Sequence, residues 1–224
     1  MSSPESVGSV TPLTYSPQMT NGLIDIQAVL ETLAETRPVF HSEADFQFAF
    51  AWTAAQLVEG LKVRLEVRQP NGRELDLMLT DESLEHQLAI EFKHLTIGWS
   101  GSIGGEHFQH GKPMSENLGR RGIVEDIERI EDMVRNGDAT AGAVVVLTNN
   151  DTYWKKPRNQ YCGSINYRVH EEAILKGELI WHPRNKNPTK RPITLNYSYT
   201  ASWSDFSNPA GGPGPFKSLV FETP

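Results

Sequence analysis

Three charged residues of this 224-residue chain, Asp76, Glu91 and Lys93, have the types and spacing to act on one substrate. In residues 73–80, Leu75, Leu77 and Leu79 alternate with Asp76 and Met78; in residues 88–95, Ile90 and Phe92 alternate with Glu91 and Lys93. That two-residue period predicts the strands of one β-hairpin, with Glu91 and Lys93 on a shared face. A turn centred near Ser83 or Leu84 sets Asp76 across from Glu91 or Phe92, within cross-strand reach. Two carboxylates at close range repel unless a cation lies between them, and hard oxygen ligands suit Mg²⁺ or Mn²⁺. Water activated by such a cation and attacking a phosphodiester, with Lys93 orienting or deprotonating it, is the reaction these residues predict. The plainer reading is a surface sheet on which Lys93 forms salt bridges with its acids.

The flanking elements must place this face. Leu23, Ile26, Leu30 and Leu33 recur at helical spacing before Pro38. A second helix starts after Ser42, a candidate N-cap with Asp45 three residues on, and runs to about Glu59 with Phe46, Ala49, Phe50, Thr53 and Leu57 buried. Glu43 lies three residues before Phe46, on or beside that stripe. An acid in a first turn complements the helix dipole, so Glu43 gains a functional reading only beside the hairpin acids. Residues 61–67 alternate as a half-exposed strand, and Pro70-Asn71-Gly72 turns the chain into the hairpin. The stretch 98–112 lacks periodicity and reads as a loop flanking the site. His107 and His110 could ligate a metal there, but without a third ligand at a recognisable spacing ordinary loop histidines fit better.

A long helix over about 118–135 carries Ile123, Ile127, Ile130 and Val134 on one face and stops at Asn136-Gly137. On its other face Arg120, Arg121 and Arg129 could meet phosphates, although surface ion pairs with Glu125, Asp126, Glu128 and Glu131 are the expected use of most of them. The apolar run 141–147 predicts a strand covered on both faces, in the middle of the sheet. Beyond Asn149 follow a basic, aromatic loop, a short helix around 169–176, and strand-like segments at 178–181, 193–201 and 216–221. Trp154, Tyr161, Tyr197, Tyr199 and Trp203 could stack on bases, though aromatics in strands are more often core.

Composition, 38% hydrophobic and 22% charged, supports one domain over 22–224 behind a polar tail at 1–21. No apolar run approaches the roughly 20 residues that cross a bilayer, the N-terminus lacks a secretory design, and a lone Cys162 suits a reducing compartment; a cytoplasmic protein without membrane contact is expected. The net charge of −7 speaks against a protein that coats nucleic acid non-specifically, yet leaves room for local basic clusters at Lys155, Lys156 and Arg158 and at Arg184, Lys186, Lys190 and Arg191.

The order helix, three strands, helix, strand, with Glu43 opening the helix, Asp76 in the second strand and Glu91-Phe92-Lys93 in the third, resembles the PD-(D/E)XK nuclease superfamily. The likeness spans about 40–147, and the segment starting Arg121-Gly-Ile-Val-Glu-Asp-Ile-Glu-Arg is similar to second-helix sequences of uncharacterised bacterial members. Leu75 stands where the superfamily often has proline. The resemblance implies an α/β, restriction endonuclease-like αβββαβ core, its central mixed sheet flanked by helices, with extra C-terminal strands at 148–224. It also implies a Mg²⁺- or Mn²⁺-dependent nuclease, with Asp76, Glu91 and Glu43 as metal ligands and Lys93 as the fourth catalytic residue; members of the superfamily cleave DNA or RNA, so the resemblance does not choose the substrate, and DNA is the expected one. A catalytically silent nucleic-acid-binding or assembly module on the same fold is the alternative. A homodimer is open to either, and with no P-loop, helicase or methylase pattern any energy-coupled or modifying partner is expected as a separate chain.

Overall fold

The computed structural model describes residues 23–69, 72–111, 115–157, 163–181 and 191–223. The polar tail, the Pro70-Asn71 turn, Arg158, Tyr161, Cys162, Arg184, Lys186 and Lys190 therefore lie outside the described residues. Helices α1 (Ile26–Thr36) and α2 (Glu43–Leu57) precede strands β1 (Lys62–Arg68), β2 (Glu74–Thr80) and β3 (Gln87–Leu95). After β4 (Trp99–Ile103) and β5 (Glu106–His110) come α3 (Glu116–Asn136) and β6 (Ala141–Thr148). The chain then runs through β7 (Ile174–Leu179), β8 (Ile193–Thr200), β9 (Trp203–Ser207) and β10 (Phe216–Thr223). This is an α/β protein with a mixed central sheet and three helices among the described residues.

The six-stranded sheet has the order β1-β2-β3-β6-β10-β9, and β3 and β6 are its parallel pair. Parallel neighbours need a long crossover, which the β4–β5 hairpin and α3 supply. All of β6 is buried, as its unbroken apolar run predicts. Ala141, Ala143, Val145 and Leu147 join the core under α1 and α2, whereas Val144 and Val146 join the core under α3. Gly142 lets α3 close on the sheet: a Cβ there would stand 2.2 Å from Ile130 Cγ2.

Two expectations fail. Within the expected loop, residues 99–110 form the β4–β5 hairpin, because Gly104 and Gly105, at φ of 59° and 87°, provide a two-residue turn of the kind strand twist favours. Residues 169–176 hold no helix. Ala173, Leu175 and Leu179 are buried, and the segment enters β7, paired with β8 on the far side of α3. The polar face of α3 is therefore not a solvent face. Buried Glu131 accepts the Asn196 and Tyr197 backbone N–H groups at 2.7 and 3.1 Å and the Tyr199 hydroxyl at 2.9 Å, fastening β8 to the helix. No helix among the described residues is long and apolar enough to cross a membrane.

Candidate functional site

The site opens where β2 and β3 part. Their ladder runs from Thr80↔Gln87 to Leu77↔Ile90 and stops; one further step would set Asp76 opposite Glu91. The break has a backbone cause. Leu77 and Leu79 pack under α2, but Leu75 packs under α3, so the alternation of β2 is interrupted at Asp76. On β1, Glu66 lies between the pairs Leu65↔Leu77 and Val67↔Leu75, and it holds a left-handed φ of 50°. That conformation costs a residue other than glycine about 1 kcal/mol, so the kink is a stored strain beside the site.

Parting the strands deprives successive outward amides of β3 of their β2 partners, and carboxylates take them over. The Phe92 N–H donates to Asp76 Oδ2 at 2.7 Å and the His94 N–H to Glu43 Oε2 at 2.8 Å. Glu43 reaches this edge because Ser42 caps α2 by accepting the Asp45 N–H at 3.1 Å, which fixes the first turn over the end of β3. Gln47, one turn on, donates its side-chain amide to the Asp76 carbonyl.

Helix α3 contributes two residues that the sequence reading assigned to the surface. Lys93 Nζ lies 2.6 Å from Asp126 Oδ2 and donates to the Phe92 carbonyl at 3.0 Å. The Arg129 guanidinium pairs with Glu91 Oε2, lies 3.3 Å from Asp126 Oδ1, and donates to the Glu74 carbonyl at 3.2 Å. The expected surface ion pairs of α3 are thus largely buried. Arg121 is buried between Glu125 and the Tyr167 hydroxyl, and Arg120 donates to the Thr152 carbonyl at 2.8 Å. Nor does the surface-sheet reading of the hairpin hold: Lys93 pairs with a helix acid, and Glu91 is 1% exposed.

Four carboxyl groups, Glu43, Asp76, Glu91 and Asp126, thus face two cations, Lys93 and Arg129. Burial alone would lower Lys93, but Asp126, Glu43 and Asp76 outweigh it and hold the ammonium above its ordinary value. The acids carry the imbalance. Burial, then the charges of Asp76 and Asp126, push Glu91 from 4.5 up to about 9 against the pull of Arg129. Burial likewise raises Glu43 against Lys93. Burial raises Asp126 as well, against the pull of Lys93 and Arg129, and Glu91, pushed up to about 9, is the acid that holds a proton at neutral pH.

Stability follows from that proton. Below the ordinary carboxylate range folded and unfolded chains both hold it, and its contribution is complete; toward pH 9 only the folded chain does, so stability falls as pH rises. In metal-free buffer the denaturation midpoint is expected to drop between about pH 5 and about pH 9. Glu91→Gln, neutral throughout, should flatten the drop; an equally steep drop in that variant contradicts the assignment.

Once Glu91 gives up its proton, four carboxylates face two cations and the surplus of two negative charges matches a divalent cation, while Glu91 Oε1 is buried without a hydrogen-bond partner. The oxygen-only donor set is of the kind Mg²⁺ or Mn²⁺ takes. By this test Asp76 and Glu91 fit such an ion. Glu43 accepts the His94 amide as Asp76 accepts that of Phe92, and among the described residues no three His, Cys, Asp or Glu side chains form a metal-holding group. His107 and His110 do not converge: they sit on opposite faces of β5, His107 exposed, His110 buried and donating through Nε2 to the Phe40 carbonyl at 2.9 Å.

Fold and site together define an α/β protein with a buried acid–lysine cluster at a split in its mixed sheet. No family model matches the chain, and no curated protein or solved structure matches it either.

Proposed function

We propose that the chain is a divalent-metal-dependent nuclease with a restriction endonuclease-like core, hydrolysing phosphodiester bonds in DNA. One observation carries this reading: where β2 and β3 part, Asp76 and Glu91 face one another with Lys93 two residues along the same strand. Asp76 and Glu91 would hold Mg²⁺ or Mn²⁺, which when bound supplies charge neutralisation at the phosphoryl group and lowers the pKa of water. The chain's own residues do the positioning. The Phe92 amide fixes the Asp76 carboxylate. Lys93 has three donors and spends two on Asp126 and the Phe92 carbonyl, which leaves one for the attacking water or a phosphoryl oxygen. Its raised pKa favours orienting water and stabilising developing negative charge over taking the proton. Glu43, bound to the His94 amide, holds the far edge of the opening.

The Arg129–Glu91 pair favours a second reading, a silent nucleic-acid-binding or assembly module, because a guanidinium there can replace an ion permanently. Two measurements separate them. Purified protein is expected to cleave single- or double-stranded DNA with Mg²⁺ or Mn²⁺ and to stop with a chelator, and RNA is the parallel substrate. Calorimetry should show metal binding that disappears in Asp76→Asn. Absence of cleavage of all three substrates under both metals overturns the nuclease reading, and absence of metal heat supports the module.

A further inference from the structure

The edge strand β1 carries three exposed cations, Lys62, Arg64 and Arg68, in a chain with 28 acidic residues against 21 basic ones. Lys62 donates to the Glu82 carbonyl at 3.0 Å, whereas Arg64 and Arg68 make no hydrogen bond or ion pair among the described residues. Elsewhere Arg37, Arg135, Lys155 and Lys217 each pair with a nearby acid. Packing assigns the β1 cations to faces. Val63 packs against the core under α1 and α2, so Lys62 and Arg64 on either side of it point to the opposite face, the one on which α3 lies. At Glu66, with its left-handed φ, the faces reverse: Val67 packs against the core under α3, and Arg68 points to the α2 side.

Glu91 and Lys93 share the face of Arg64. Leu88, Ile90 and Phe92 pack under α1 and α2, which turns Glu91 and Lys93 the other way, and Lys93 meets Asp126 of α3. The strand register then sets how near Arg64 stands. Arg64 pairs with Met78 and Met78 with Ala89, so Arg64 lies in the row two residues from Asp76 on β2 and from Glu91 on β3. Arg64 and Asp76 are thus diagonal cross-strand neighbours, about 7–8 Å apart and within reach of a long side chain. Helix α3 packs on β3, β6 and β10 and leaves this outer part of the face open, with Arg64 exposed and Asp76 and Met78 half-buried.

We propose that the Lys62–Arg64 face of β1 binds the phosphate backbone of the nucleic-acid strand, with Arg64 making the contact nearest the bond at Asp76 and Glu91. At about 3.4 Å per nucleotide the diagonal step corresponds to roughly two nucleotides. A guanidinium suits the task, since its planar fork of donors matches phosphate oxygens, and Arg64 has no acid of its own to release first. Basic residues on an edge strand also ward off pairing with other strands, but that role needs charge and not a particular face, which makes Arg68 the control. The inference rests on the proposed nuclease reading for its position relative to the bond, whereas the phosphate contact itself needs no chemistry.

Fluorescence anisotropy in a chelator, with labelled DNA oligonucleotides, single-stranded and duplex, and the matching RNA, tests it without cleavage. Arg64→Gln and Arg68→Gln each remove one charge from an exposed side chain of the same strand and should fold as wild type, which circular dichroism checks. In Arg64→Gln, binding at about 0.1 M salt is expected to weaken about ten-fold and the slope of log K against log salt to fall by about one, as for one phosphate contact removed. Arg68→Gln, with the same change in net charge on the other face, should change neither. The proposal is overturned if Arg64→Gln keeps the wild-type affinity and slope, if Arg68→Gln weakens binding as much, or if no oligonucleotide binds even at low salt. Weakened binding in Arg64→Gln of a protein that never cleaves sustains the β1 contact and refutes the nuclease reading. Cleavage by a protein whose Arg64→Gln variant binds as wild type does the reverse.

Discussion

On the proposed nuclease reading, Lys93→Ala is expected to lower cleavage by about 10²–10⁴-fold, the range for losing a group that positions or charges the reacting water. Geometry gives the reason. The ammonium is held between Asp126 Oδ2 and the Phe92 carbonyl, which fixes its remaining donor relative to Asp76 and Glu91. Asp126→Asn tests the same point indirectly. It preserves shape but removes the carboxylate that anchors Lys93, so kcat should fall while KM for the oligonucleotide holds, and the pH–rate profile should shift with the altered lysine. A Lys93→Ala enzyme that cleaves at the wild-type rate, with an unchanged circular dichroism spectrum, removes Lys93 from the reaction. An Asp126→Asn enzyme with an unchanged pH profile removes Asp126 from positioning it.

Arg129→Met is expected to cost about 3 kcal/mol of stability, the lower part of the range for breaking a buried ion pair from one side. Methionine keeps the apolar stem but leaves Glu91 and Asp126 without the guanidinium and the Glu74 carbonyl without its donor. The cost stays at the lower end because Glu91 can remain protonated at neutral pH. For a chain of this size about 3 kcal/mol lowers the melting temperature by roughly 6–12 °C. Adding Glu91→Gln to Arg129→Met should recover little at neutral pH and part of the loss toward pH 9, where the unpaired Glu91 would otherwise ionise. Mg²⁺ should raise the melting temperature of Arg129→Met more than that of wild type, because the single variant carries the larger surplus of negative charge. A variant as stable as wild type would mean that the Arg129–Glu91 pair contributes nothing to the folded state.

Local pattern alone determined much of the architecture. The alternation around Asp76 and Glu91 specified a hairpin and its approximate register, because a one-residue slip would expose Leu77, Leu79 and Ile90. Ser42 with Asp45 marked the start of α2, and the apolar run of β6 marked the centre of the sheet, since caps and burial on both faces leave signatures within a few residues. Gly104-Gly105 held the signal for the β4–β5 hairpin that was read as a loop. What only the tertiary structure decided was where the charges go. Periodicity separates the apolar face of α3 from its polar face, but it does not say what covers the polar one. The sheet covers Asp126 and Arg129, and the β7–β8 hairpin covers Glu131, so residues with the composition of a solvated face became the partners of Lys93, Glu91 and Tyr199. Glu43 was legible as an inward-facing acid, yet its place depended on the parting of β2 from β3, which left the His94 amide for it to bind. Ion pairing in a buried cluster is set by which elements meet, and that information lies in packing between segments distant in the chain.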